Sequence, residues 1–224
     1  MNDVIGVKSW IMEDTYKDFK SLSAVEKEGK DYRIWARKIN LRIAIVAPHG
    51  GGIEPGTSEI AKSIAGNDFT CYLFEGIKNR QNKKYLHLTS TNFDEPEGVK
   101  ICNNSDMVLT VHGTEENDDF VYVGGRNQVL KNKMIRQLKN DGFNATEDTT
   151  HHSGRNAENI CNRCKSLEGL QLEISKGLRE KMFKELNATH QKSTTQVFDK
   201  FVQSIRSVLD MNVYGFSPSM ERAF

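Results

Sequence analysis

"LRIAIVAPHGGGIEPGTSE", residues 41–59, passes from an apolar run into three consecutive glycines, with a histidine before them and a glutamate two residues after the last. The first six residues have the length and branched side chains of a buried strand, which Pro48 is expected to end. Pro55 pushes Glu54 towards extended geometry, so a helix is predicted to begin at Thr57 or Ser58. A strand, a glycine loop and a helix in this order form the repeating unit of an α/β fold. Three glycines cost backbone entropy and pack nothing. The loop therefore needs a purpose: cradling a phosphate, turning tightly among incidental polar neighbours, or forming half of a metal site.

The pattern continues outward from this unit. Residues 13–29 are predicted as a helix closed by Gly29, and Tyr32–Lys38 alternates like an edge strand. Strands are expected at Phe69–Gly76, Tyr85–Thr91, Asp106–Gly113, Phe120–Gly125 and Gly169–Ser175, with a short pairing within residues 144–149. Helices are expected at Asp94–Ser105 with proline in the first turn, at 126–142 closed by Gly142, at 176–186, and from Thr194 to Leu209. Strands alternating with helices predict an α/β fold: a mixed, largely parallel sheet with helices on both faces. The expected organisation is a single catalytic domain over residues 1–224. It comprises an extension (1–40) with a helix and an edge strand, a core (41–186), and a C-terminal helix and tail (187–224).

Composition removes several function classes. Hydrophobic residues make up 37% and charged residues 27% of the 224, as in a soluble globular protein. Lys plus Arg number 31 against 30 Asp plus Glu, so no excess of positive charge argues for nucleic-acid or membrane partners. No apolar stretch approaches the roughly 18–20 residues that span a bilayer. The first residues do not read as a secretory signal. Four scattered cysteines make no disulfide framework. A cytoplasmic monomer is expected, released by host lysis if the source is a phage.

In open α/β sheets, ligands gather at the carboxyl ends of the strands. Here "RIAIVAP" runs into His49 and Glu54, "MVLTV" into His112 and "LQL" into Glu173. Two histidines and a glutamate are a known catalytic zinc set. The glycines permit the fold-back that a five-residue separation of His49 and Glu54 requires, and Glu173 is then available to take a proton from water. Taken singly, His49 can be a turn residue, Glu54 a first-turn charge and His112 a core histidine. A phosphate loop is excluded by the missing Gly-Lys-Ser/Thr and by the carboxylate at Glu54. An esterase-type "HGGG" loop is excluded by the absence of a Gly-x-Ser-x-Gly elbow. "CNRC" (Cys161–Cys164) lacks a second cysteine pair and reads as two buried thiols. His151 and His152 sit in a polar loop, and His87 reads as a packed or rim residue within a strand. Arg126 and Arg163 are the candidates for a substrate carboxylate, each equally readable as a structural or solvated cation.

"APHGGGIEPGT", "LHLTSTNFDEP", the strand ending in "HG", "VGG", "NICNRC" and "GLQLEIS" together resemble the zinc-dependent poly-γ-glutamate hydrolases of Bacillus phages and their bacterial homologues, often labelled phage-related replication proteins. The resemblance spans roughly Ile43 to Phe183. It implies a compact carboxypeptidase-like fold, a zinc ion held by His49, Glu54 and His112, and Glu173 as the catalytic carboxylate. Arg163 becomes the candidate for binding the substrate carboxylate or the oxyanion. The implied substrate is a γ-linked glutamyl polymer cut internally. The acidic "EENDD" (Glu115–Asp119) beside His112 would repel such a polyanion unless zinc and arginine offset it. The rival readings are a zinc carboxypeptidase or deacylase acting on another amide, and a non-catalytic replication accessory or binding protein.

Overall fold

A computed structural model of the chain describes residues 13–40, 42–148, 153–188 and 192–214. In chain order it contains α1 (Phe19–Val25), β1 (Tyr32–Arg37), β2 (Ile43–Gly51), α2 (Thr57–Ala65), β3 (Thr70–Gly76), α3 (Asn82–Leu86) and α4 (Pro96–Asn104). There follow β4 (Met107–Gly113), β5 (Val121–Gly125), α5 (Gln128–Asn140), β6 (Ala145–Thr146), a 3-10 turn (Ile160–Asn162), β7 (Leu170–Ile174), α6 (Lys176–Met182) and α7 (Gln196–Tyr214).

The strands form one sheet in the order β1-β3-β2-β4-β7-β5-β6. Strands β3, β2, β4 and β7 run parallel, and β6 is parallel to β5. The pairs β1–β3 and β5–β7 are antiparallel. This is the mixed, largely parallel α/β sheet that the alternation predicted. Ile43, Ile45 and Ala47 of β2 face a core closed by α2, α5, α6 and α7, through residues such as Ile60, Met134, Leu178 and Phe201. Ala44 and Val46, one residue out of phase, face the opposite core with Leu22, Phe93, Ile101 and Ile160. Such two-sided burial is why the central strands read as continuous apolar runs. Among the described residues no helix is long and apolar enough to cross a membrane.

Three local expectations differ from the structure. The helix over 13–29 is confined to α1, because the Asp18 carboxylate accepts from Ser21 N at 2.7 Å and starts the helix there. Gly29, at φ +79°, belongs to the turn into β1. Second, β2 does not end at Pro48 but continues to Gly51. Third, residues 85–91 are not a strand: α3 ends at Leu86 and an irregular segment follows. Its alternation is real, since Leu86 and Leu88 are buried in the core. Among the described residues no strand pairs with it: the Leu88 and Thr91 carbonyls accept from the His49 and Arg163 side chains, and the Ser90 carbonyl from Ile160 N.

Candidate active site

The site begins with an irregularity in β2. Between Ala47 and Gly50 the register with β3 shifts from Leu73 to Glu75, so β2 carries one extra residue. Proline has no N–H to give to a ladder and is placed in central strands only at such bulges. The ladder with β4 stops at Val46–Thr110, and the bulge redirects His49 at the strand end. The chain then folds back: Glu54 N donates to the His49 carbonyl at 2.9 Å, and Gly52 N donates to the Gly76 carbonyl at 2.8 Å. Gly51 has φ +62°, and a Cβ there would lie 2.5 Å from the Gly76 carbonyl oxygen, so only glycine suits the position.

The fold-back delivers Glu54 to His49. Glu54 Oε1 lies 3.1 Å from His49 Nδ1, and its Oε2 accepts from Gly113 N at 2.8 Å. Strand β4 contributes His112, whose Nδ1 is 3.1 Å from His49 Nδ1 and 3.8 Å from Glu54 Oε2. His49 Nε2 donates to the Leu88 carbonyl at 2.8 Å, which leaves the Nδ1 lone pair facing the other two residues. His112 Nε2 is 3.4 Å from Ser90 Oγ. The three side chains are buried, and their ligand atoms lie within 4.8 Å of one another. Donors on a tetrahedral ion with bonds of about 2.0–2.1 Å are about 3.3 Å apart, so the two 3.1 Å edges suit a metal ion.

Electrostatics agree with the geometry. Burial alone would lower the His49 pKa, but the Glu54 carboxylate outweighs it and the pKa is raised. Burial alone would raise Glu54, but the neighbouring histidines hold it far below the ordinary carboxylate range. Positive charge is therefore favoured between these atoms, whether carried by a proton or a metal ion. Glu173, which pairs with His112 across β4 and β7, is displaced the other way. Burial first and the Glu54 charge second push its carboxyl well above the usual range. Its Oε1 accepts from Gln171 Nε2 at 2.8 Å, and Asn159 Nδ2 donates to Gln171 Oε1 at 2.9 Å, which orients the carboxyl.

His49, Glu54, His112 and Glu173 line one cavity of about 810 Å³. The structure brings these four together and leaves the two predicted arginines elsewhere. Arg163 donates to the carbonyls of Glu158, Phe93 and Thr91 at 2.9, 3.0 and 2.8 Å, tying down the irregular segment, and does not line the cavity. The Arg126 side chain is exposed and likewise outside the lining. Cys161 and Cys164 are buried in the core below, and burial pushes the Cys161 thiol up, as expected of packed cysteines. His151 and His152 lie outside the described residues.

Several lining residues escaped sequence reasoning. Arg155 and Lys83 bring positive charge to the cavity, Lys83 2.6 Å from Glu115 of the acidic segment. His87 stacks on His49 with ring centroids 4.1 Å apart and donates from Nδ1 to Asp14 Oδ1 at 2.7 Å. Burial works to raise the Asp14 pKa, but hydrogen bonds from His87 and Thr89 bring it below the ordinary value. Arg179, 1% exposed, donates to the carbonyls of Ile174, Pro55 and Thr114, and so joins the three segments that carry Glu173, Glu54 and His112. A Cβ on Gly113 would meet its guanidinium at 2.6 Å. Nothing in a sequence marks an arginine as one that serves backbone carbonyls. The "LH" of "YLHLTST" did offer a polar residue between two core leucines, the one available signal for His87.

An α/β sheet that presents a buried His–Glu–His set and an adjacent carboxyl at parallel strand ends defines a protein with an enzyme-like crevice whose residues could hold a metal ion. The chain belongs to the poly-gamma-glutamate hydrolase family, whose model matches residues 16–204. It is 36% identical over 179 residues to the UPF0714 protein YndL of Bacillus subtilis (strain 168), covering 79% of this chain and 70% of that protein. A structure of a bacteriophage poly-gamma-glutamate hydrolase superposes with TM-score 0.87 at 31% identity, over 91% of this chain and 99% of that one. YndL, solved in a zinc-free apo form, superposes with TM-score 0.85 at 33% identity, over 90% and 100%.

Proposed function

We propose that the protein is a zinc-dependent hydrolase that cleaves the γ-glutamyl amide bonds of poly-γ-glutamate. The observation that carries this reading is the convergence of His49 Nδ1, His112 Nδ1 and the Glu54 carboxylate beside Glu173, in a chain of this family. Zinc bound there would polarise the scissile carbonyl and bring the pKa of water towards about 7.

Glu173 takes the proton of the attacking water and returns it to the departing amine. Burial raises its pKa above the ordinary carboxyl value, which makes it a better proton acceptor than an exposed glutamate. Gln171 fixes its rotation, so the proton is received at a set position. Arg155 and Lys83, rather than Arg163 or Arg126, are the cations placed to meet substrate carboxylates. Lys83 also offsets the acidic wall of Glu115 and Glu116 through its pair with Glu115, while Arg155 pairs with Glu147. Truncating Arg155 to alanine is expected to raise KM several-fold with little change in kcat, read from initial rates over a range of polymer concentrations.

The test is incubation with high-molecular-weight poly-γ-glutamate, with chain length followed on a gel. Progressive shortening, blocked by a chelator and restored by zinc, is the expected result. Intact polymer in the presence of zinc-loaded protein would rule out the proposed substrate.

A further inference from the structure

The geometry points to His87 and Asp14 as a substrate-positioning dyad, in which His87 Nε2 accepts a hydrogen bond from the scissile amide N–H. The inference deepens the hydrolase reading and rests on it. His87 follows α3 and lines the cavity, its side chain 24% exposed. Its ring is held on two sides, by the stack on His49 and by the 2.7 Å hydrogen bond from Nδ1 to Asp14 Oδ1. Asp14 is held in turn: its Oδ2 accepts from Thr89 N at 2.6 Å, and Thr15 Oγ1 donates to the Lys84 carbonyl at 2.6 Å. The segment before α1 is thereby fastened along the cavity wall.

A carboxylate can only accept, so the proton lies on His87 Nδ1 and the neutral ring presents a lone pair at Nε2. That atom lies 3.9 Å from Glu54 Oε1, beside the centre to which the scissile carbonyl is drawn. An amide has one N–H close to its carbonyl, and it needs an acceptor when it leaves water. Arg155 and Lys83 can only donate, and so cannot meet this need. His87 contacts substrate, whereas Asp14 acts through it by fixing the tautomer.

This assignment makes a specific prediction for Asp14→Asn. Thr89 N–H is a fixed donor, so the asparagine oxygen stays with it and the amide NH₂ turns to His87 Nδ1. The ring then adopts the other tautomer and presents N–H at Nε2, where an acceptor is needed.

The experiment measures binding of a short γ-linked glutamate oligomer to zinc-loaded protein by calorimetry, with zinc content and kcat/KM on the polymer determined alongside. His87→Phe keeps the stack and removes the acceptor. It is expected to retain its zinc and weaken oligomer binding roughly tenfold, the loss of one well-placed hydrogen bond. His87→Gln should recover part of that loss. Asp14→Asn should weaken binding about as much as His87→Phe, and should add nothing in the His87→Phe background. Wild-type binding by zinc-replete His87→Phe, or additive losses in the double variant, would overturn the dyad. So would loss of zinc from His87→Phe, which would make His87 a support for the metal ligands. Because binding is read apart from turnover, an inert wild-type enzyme would count against the hydrolase reading, while the oligomer measurement would still decide the dyad.

Discussion

Glu54 and Glu173 are both buried carboxyls, and their surroundings give them different work. Glu54 sits among histidines and a backbone N–H, which favour its ionised form and suit it to the proposed metal. Glu173 feels burial and the Glu54 charge, which raise its pKa, in keeping with the proton transfer proposed for it. Glu173→Gln is therefore expected to keep stoichiometric zinc and lose about 10²–10⁴-fold in kcat, by metal analysis and initial rates. His112→Ala should instead purify without stoichiometric zinc. The meeting of His49, Glu54, His112 and Glu173 in one crevice was legible because apolar strands run into them at matching ends; the work each does there is the proposal. Arg163 was not legible as a tether: its sequence shows a cation, and only the fold shows the three carbonyls that occupy it.

At the scale of elements, the β2 bulge and its glycine loop set the site. Gly51→Ala would place a Cβ against the Gly76 carbonyl at a positive φ, at an expected cost of about 1–3 kcal/mol in denaturant unfolding. Weakened zinc binding should accompany it, because Glu54 rides on that loop. The bulge itself was not legible, since Pro48 reads as a stop and a register shift needs the partner strand. The segment after α3 was misread for a related reason: alternation reports which side is buried, not whether a neighbour exists to pair with. Further along, buried Lys131 donates to the Gly125 carbonyl at 3.1 Å and pairs with Glu147 at 2.7 Å, bracing α5 against the end of β5. The Lys131 hydrogen bond, followed by that from Arg155, outweighs burial and lowers the Glu147 pKa from 4.5 to about 2. Its folded pKa is depressed, so its stabilisation is full above 4.5 and is lost as pH falls through about 2. Glu147→Gln should cost about 1–3 kcal/mol at neutral pH, a gap that closes towards that acid limit in unfolding measurements.

At the scale of the whole molecule, the sheet order places β2, β4 and β7 side by side, so residues 49, 112 and 173 of the sequence become neighbours in one crevice. The alternation of elements predicted the class of sheet, whereas the strand order follows from pairings between distant segments. The segment before the sheet also reaches the crevice through Asp14, because hydrogen bonds to His87 and Thr89 hold it there. Because the proposed zinc joins β2, the glycine loop and β4, its removal should lower the thermal midpoint. At 100-fold excess over Kd the ion would contribute about 2.7 kcal/mol. One titration tests the proposed metal and γ-glutamyl cleavage together. Zinc is added stepwise to metal-free protein in the presence of poly-γ-glutamate, and the primary amines released by amide cleavage are counted. Amine release is expected to rise linearly and level off at a single equivalent of zinc. Release that is independent of zinc, or no release at full loading, would contradict it.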